Sequence, residues 1–254
     1  MIDLHCHILP GIDDGSNNMA QSIQMAREAE KAGFSIICCT PHYLDNRYIV
    51  PRDEVSTLIT DLQNELVREN INIQLAIGNE LYITEYVDEL LNNKLISTLN
   101  DSKYLLMELP MNYPVTILED IIFKIQNFNL VPILAHPERY SYVQKDPNFL
   151  IDLINRGVLF QGNYASLIGK YGNEAQKTLK ILLQHDMIHF LSSDTHRDNS
   201  IFTQFDSIFN ELNKIISPSM IDKLTNINPK KVIDNEDVFA QEPKEYKKKK
   251  FLFF

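Results

Sequence analysis

Short runs of β-branched and other apolar residues alternate along the chain with longer stretches whose apolar positions recur every three or four residues. Seven such runs stand out: IDLH at the start, FSIICCT from Phe34, INIQLAIG from Ile71, YLLMEL from Tyr104, LVPILAH from Leu130, VLFQG from Val158 and IHFLSS from Ile188. Their nearly continuous apolar character predicts strands buried on both faces. Between them, Val55, Leu58, Ile59, Leu62 and Leu66, and again Leu118, Ile121, Ile122, Ile125 and Phe128, form the core-facing stripes of amphipathic helices. Thr116 is expected to cap the second of these helices, and Gly157 to end the helix that follows Pro147. Strands and helices in this alternation predict βα units around a parallel sheet.

The 254 residues carry no Pro/Gly/Ser-rich linker and no internal repeat, so a single α/β domain is expected over residues 1–240. With 44% hydrophobic and 23% charged residues the chain has the composition of an ordinary globular protein rather than a disordered one. Residues 241–254, QEPKEYKKKKFLFF, break the pattern with a proline, a lysine run and an aromatic end. They are expected to form a solvated or loosely docked tail. The alternative is a weak foothold on anionic lipid or an acidic partner, with the lysines attracting and Phe251, Phe253 and Phe254 inserting.

A net charge of −10 argues against a nucleic-acid partner, which needs a basic face. Three cysteines, Cys6, Cys38 and Cys39, are too few and too unevenly placed for a disulfide scaffold. With no signal-peptide pattern and no apolar run of the ~20 residues that span a bilayer, a cytoplasmic location is expected.

The candidate chemistry collects where the predicted strands end. His5 and His7 belong to the first, His42 to the second, Glu80 to the third, Glu108 to the fourth, His136 to the fifth, and Asp194 and His196 to the seventh. In a parallel barrel all strand C-termini open on one face, where residues distant in sequence converge. Asp13 and Asp14 add carboxylates in the loop after the first strand, which Gly11 and Gly15 allow to fold tightly. Counting one of that pair gives nine candidate ligands. One ion takes about four to six, so nine predict two or three metals that share bridging carboxylates. The mixture of imidazole and carboxylate suits manganese, iron or zinc better than magnesium or calcium.

A thiolate nucleophile of the phosphatase type would need an arginine six positions after the cysteine. Those positions hold Ile12, Leu44 and Asp45. Alternation also turns Cys6 away from His5 and His7, into packing. Arg139, three residues after His136, is the cation best placed to clamp a phosphate; its structural alternative is a surface ion pair with Glu138 or Asp146.

The motifs DLHCHILPGIDDG, TPH at Thr40 to His42, GNE at Gly78 to Glu80, ELP at Glu108 to Pro110, AHPER at Ala135 to Arg139 and SDTH at Ser193 to His196 occur in order along residues 1 to about 235. In these the chain resembles the polymerase and histidinol phosphatase (PHP) superfamily, and within it the bacterial metal-dependent protein-tyrosine phosphatases of capsule and exopolysaccharide synthesis. The resemblance implies a distorted TIM-like (β/α)7 barrel with three divalent ions, often manganese. By motif position it assigns His5, His7 and Asp194 to one metal, Glu108 and His136 to a second, and Asp14, His42 and His196 to a third, with Glu80 bridging two of them. It also implies a bacterial tyrosine kinase as the phosphoprotein partner. On these residues the expected chemistry is hydrolysis of phosphotyrosine by metal-bound hydroxide, with Arg139, His42 and Asp14 as the catalytic residues. Family members often carry a second arginine about five residues beyond the last histidine. Here that position is Ile201, which leaves open whether Arg197 replaces it. Two other readings of the same residues are a small-molecule phosphomonoesterase of the histidinol-phosphatase type and a metal-containing regulatory module that has lost turnover.

Overall fold

Residues 1–248 are described by the computed structural model, and Lys249–Phe254, with the aromatic end of the expected tail, lie outside the described residues. The seven predicted strands form the staves of a parallel barrel. β1 (Ile2–Cys6), β2 (Ile36–Cys39) and β4 (Gln74–Ile77) make one three-stranded sheet. β3 (His42–Tyr43), β5 (Glu80–Tyr82), β6 (Tyr104–Glu108), β7 (Val131–Ala135), β8 (Leu159–Asn163) and β9 (Phe190–Ser192) make a second sheet, in that order. Closure runs through β9 and β1: Asp194 N donates to His5 O and His7 N to Thr195 O. Helices such as Met19–Lys31, Arg52–Arg68, Leu118–Asn127 and Asn173–Gln184 pack on the outer face.

Two staves continue past a break that the predicted runs do not reach: FSIICCT holds β2 and is followed by β3, and INIQLAIG holds β4 and is followed by β5. The breaks lie side by side. Pro41 has no N–H to continue the ladder. Its carbonyl instead accepts from Glu80 N (3.1 Å) and Asn79 Nδ2 (3.3 Å), while Leu99 presses so close to Gly78 that a Cβ there would meet Leu99 Cδ2 at 2.9 Å. These long-range contacts distort the barrel and lie beyond the reach of periodicity.

Alternation divides the core. Ile2, Leu4, Cys38, Ala76, Leu106, Ile133, Leu159 and Phe190, at least one from each stave, point inward and plug the barrel floor together with Leu99, Tyr104 and Val232. Cys6, Ile37, Cys39, Leu105, Met107, Leu134, Phe160 and Leu191 point outward against the helices. β1 carries a bulge, since Asp3 pairs with Ile37 and Cys6 with Cys39, so one extra residue fits between. The Asp3 carboxylate accepts the His5 N–H at 3.4 Å beside the bulge. Leu4 and His5 therefore both face the interior, while Cys6 faces out as expected.

Gly157 follows the helix Phe149–Asn155 at φ +86°, as expected of a helix terminator. Thr116 does not cap its helix. The helix starts at Leu118 behind Ile117 with no side-chain cap, on a turn in which Leu118 N donates to Val115 O. The described part of the tail is pinned more firmly than expected. Asn148 exchanges two hydrogen bonds with the Tyr246 backbone, Lys244 N donates to His185 O, and Lys244 Nζ pairs with Asp186. No helix among the described residues is long and apolar enough to cross a membrane.

Candidate metal centre

All nine predicted ligands meet at the C-terminal mouth of the barrel. His5 Nε2 and His7 Nε2 lie 3.1 Å apart. Each faces Glu80 Oε2 (3.2 and 3.3 Å) and Asp194 Oδ1 (3.4 and 3.5 Å). On one side His42 and His196 stand 3.4 and 3.5 Å from Asp14 Oδ1, and His7 joins them in a potential ligand group. On the other, His136 Nε2 faces Glu80 Oε1 (3.1 Å) and Glu108 Oε1 (3.6 Å). Glu80 touches His5, His7, His42 and His136, which puts it at the centre.

The backbone aims several of these groups. The left-handed φ values of His136 (37°) and Asp194 (49°) turn the chain sharply at the ends of β7 and β9. Tyr140 ties the ends of β6 and β7 together, its hydroxyl donating to Ala135 O and accepting from Leu109 N. Gly15 is required by space, because a Cβ there would come within 2.2 Å of His7 O.

Outer partners fix the rings. His5 Nδ1 lies 2.8 Å from Gln161 Oε1, and His7 Nδ1 lies 2.8 Å from Asp13 Oδ2. With a proton on each Nδ1, both Nε2 lone pairs turn toward each other and toward two carboxylates. Such a group of acceptors fits a cation. Ligand atoms about 2.1 Å from one ion stand about 3.0 Å apart at octahedral angles and about 3.4 Å at tetrahedral ones, and the separations here, from 3.1 to 3.6 Å, lie in or just beyond that interval. Asp194 Oδ1 is buried with no hydrogen-bond donor, although three imidazole nitrogens surround it.

The electrostatics agree. Burial opposes charge on His5, yet Glu80 and Asp194 outweigh it and raise its pKa to about 9. Burial and the neighbouring Glu80 push Glu108 up to about 8, so without metal it keeps its proton. Burial and the Arg139 charge lower His136 to about 4, leaving a neutral imidazole of the kind that ligates. All three cysteines are buried, and burial raises each thiol pKa, which removes thiolate chemistry.

The aspartate pair divides its roles. Asp14 faces His42 and His196, while Asp13 stands behind His7 and accepts from His42 N and Gly15 N. Arg139 pairs with Asp194 Oδ2 at 2.9 Å, and its guanidinium rests 4.3 Å from the centre of the Tyr171 ring. It does not form the surface pair with Glu138, whose fully buried carboxylate accepts from Asn163 N and Ser166 Oγ. Arg197 is turned away from the site, with its NH1 on the carbonyls of Asp14, Gly15 and His196. Ile201 is buried.

Over these groups opens a cleft of about 260 Å³, lined by Asp14, His42, Glu80, Glu108, His136, Arg139, Asp194 and His196, and by Leu44, Arg47, Tyr48 and Tyr82. The last four carry no motif signal. Gln161 and Asn163 are polar inward positions two apart on β8, whose predicted run, VLFQG, carries no candidate ligand and stops one residue short of Asn163. Asn163 Nδ2 donates to Asp194 Oδ2 at 2.7 Å.

A family profile described as capsular polysaccharide synthesis, CpsB/CapC, matches residues 1–234. The tyrosine-protein phosphatase YwqE of Bacillus subtilis is 31% identical over 254 residues, covering 100% of both chains. A crystal structure from work on YwqE and on CpsB of Streptococcus pneumoniae, described there as metal-dependent tyrosine phosphatases, superimposes with a TM-score of 0.91 at 31% identity, over 98% of this chain and 100% of that one. A zinc-containing histidinol phosphate phosphatase of Lactococcus lactis shares the fold, with a TM-score of 0.55 at 14% identity over 84% of this chain and 93% of that one.

Proposed function

The chain belongs to the CpsB/CapC family of capsular polysaccharide synthesis, as its motifs implied, and from that premise we propose a metal-dependent tyrosine-protein phosphatase acting at the barrel mouth. The observation that carries this reading is the convergence of nine imidazoles and carboxylates, with paired lone pairs facing one another, under an open cleft. We assign His5, His7 and Asp194 to one ion, Glu108 and His136 to a second, and Asp14, His42 and His196 to a third, with Glu80 shared. Manganese is the ion we favour, and iron or zinc suits the same donors. Divalent ions there would polarise the phosphoryl oxygens and make water a better nucleophile at neutral pH.

The chain's own groups do the rest. Arg139 spends one N–H on Asp194 and offers its others to a phosphoryl oxygen, where charge grows in the transition state. Tyr48 and Tyr82 line the cleft with aromatic surface suited to a tyrosyl ring. Burial keeps His42 neutral, and with the half-exposed Asp14 it borders the open side from which the phenolate leaves. A phenol of pKa about 10 needs little protonation to depart. The phosphoprotein we propose is a bacterial tyrosine kinase of polysaccharide synthesis, met in the cytoplasm, a compartment consistent with three unpaired cysteines.

The test is protein stripped of metal and then reloaded, assayed on an aryl phosphate, a phosphotyrosine peptide and histidinol phosphate. Metal should restore turnover, with the phosphotyrosine peptide preferred by kcat/KM. His136→Ala should cost at least about 100-fold. Turnover without metal, or full activity in His136→Ala, would sink the proposal.

A further inference from the structure

The loop between β3 and the helix Arg52–Arg68 lies outside the ligand motifs, yet it supplies Leu44, Arg47 and Tyr48 to the cleft. It is a built turn. Leu44 N donates to Tyr48 O (2.8 Å), Tyr48 N returns a bond to Leu44 O (2.9 Å), and Asn46 turns the chain at φ 64°. The Tyr48 ring stacks on the His42 imidazole, centroids 5.8 Å apart, and the Arg47 guanidinium lies 5.0 Å from the centre of the Tyr48 ring.

The other charges in and beside the cleft already face partners. Asp14, Glu80, Glu108 and Asp194 all face imidazoles, and Arg139 is held by Asp194 and Tyr171. The nearby Arg197 is occupied by three carbonyls. Arg47, by contrast, has no carboxylate at ion-pair distance among the described residues, and its guanidinium donates no hydrogen bond to them. It is exposed at the rim, while Arg139 is half-buried beside the candidate ligands. An arginine steadied by an aromatic face, with its donors unused, is suited to an anion arriving from solvent. The phosphoryl group belongs deeper, with the ligands and Arg139. What passes the rim is the peptide on either side of the phosphotyrosine.

We infer that Arg47 is a specificity-determining residue that binds an aspartate or glutamate flanking the phosphotyrosine, while Tyr48 walls the tyrosyl ring. In a chain of net charge −10, this local cation offsets the repulsion an acidic segment would otherwise meet. The inference rests on the tyrosine-phosphatase reading.

Two peptides carrying a non-hydrolysable phosphonate analogue of phosphotyrosine, one flanked by acidic residues and one by serines, separate the possibilities by calorimetry on metal-loaded protein. The wild type should bind the acidic peptide about three- to fivefold more tightly, the scale of an exposed ion pair, and this ratio should shrink as salt is raised. Arg47→Gln should bring the ratio to about one and Arg47→Glu should invert it. Because Arg47 is exposed and the turn is held by backbone bonds, both variants should fold. No preference in the wild type, the same preference in Arg47→Gln, or equal weakening of both peptides would overturn the inference. Hydrolysis of the matching phosphotyrosine peptides distinguishes the two levels. A wild type that cleaves both with equal kcat/KM sinks the flank recognition alone, whereas one that cleaves neither, while cleaving a small phosphomonoester, sinks the phosphatase reading as well.

Discussion

Leu106 and Glu108 point into the barrel from the same strand, two residues apart, and meet opposite surroundings. Leu106 packs into the apolar floor, whereas Glu108 faces His136 near Glu80 and carries a pKa raised to about 8. The same step occurs from Leu4 to His5 and from Phe190 to Asp194. Below this level, contacts are apolar and mutually satisfied. Above it, imidazoles and carboxylates crowd one another at 3.1 to 3.6 Å. Two buried histidines mark the contrast: carboxylates hold His5 up, to about 9, whereas burial and Lys223 hold His189, at the floor end of β9, down to about 3. The floor supplies the rigidity that holds this crowded set of polar and charged groups in place.

If the halves divide labour in this way, damage to each should read out differently. The largest effect is expected for Phe190→Ala, a cavity in the floor. It should cost about 3–5 kcal/mol in urea denaturation while leaving metal per folded molecule intact; loss of metal in step with stability would show the halves to be one unit. Asp13→Asn, which disturbs the carboxylate behind His7, should lower metal affinity by about 10–100-fold in a chelator competition and leave the metal-free melting curve nearly unmoved. The effect smallest in any one pH unit is a slope. The folded-state pKa of His189 is depressed, so the stability its neutral ring contributes is complete above the ordinary histidine value of 6.5 and is lost as pH falls from there toward about 3. One such proton gives a slope of at most about 1.4 kcal/mol per pH unit. His189→Asn, which keeps an acceptor for Phe160 N–H, should flatten the stability profile over that window, and an unchanged profile would remove His189 from the account.

The staves and most of the candidate ligands were legible because alternation and strand ends are local signals, and a parallel barrel brings every strand end to one rim. His5, His42 and Asp194 could be placed together without knowing a single contact. What stayed hidden depends on partners far along the chain. The split at Pro41 and Gly78 requires Asn79 and Leu99, and the separate roles of Asp13 and Asp14 depend on which imidazole each meets. Arg139 was placed over the correct face, but its partner Asp194 lies 55 residues away. Arg47 and Tyr48 follow no spacing rule, since their loop is ordered by its own turn.

The bulge in β1 has a consequence for how such a centre can arise. If His5 is left out of count, Ile2, Leu4 and His7 face inward and Asp3 and Cys6 outward, in the phase of an unbroken strand. His5 is in effect an inserted residue, its N–H met by Asp3 and its carbonyl by Asp194. A barrel can thus recruit a new ligand by lengthening a strand by one position, with every older side chain keeping its side of the wall.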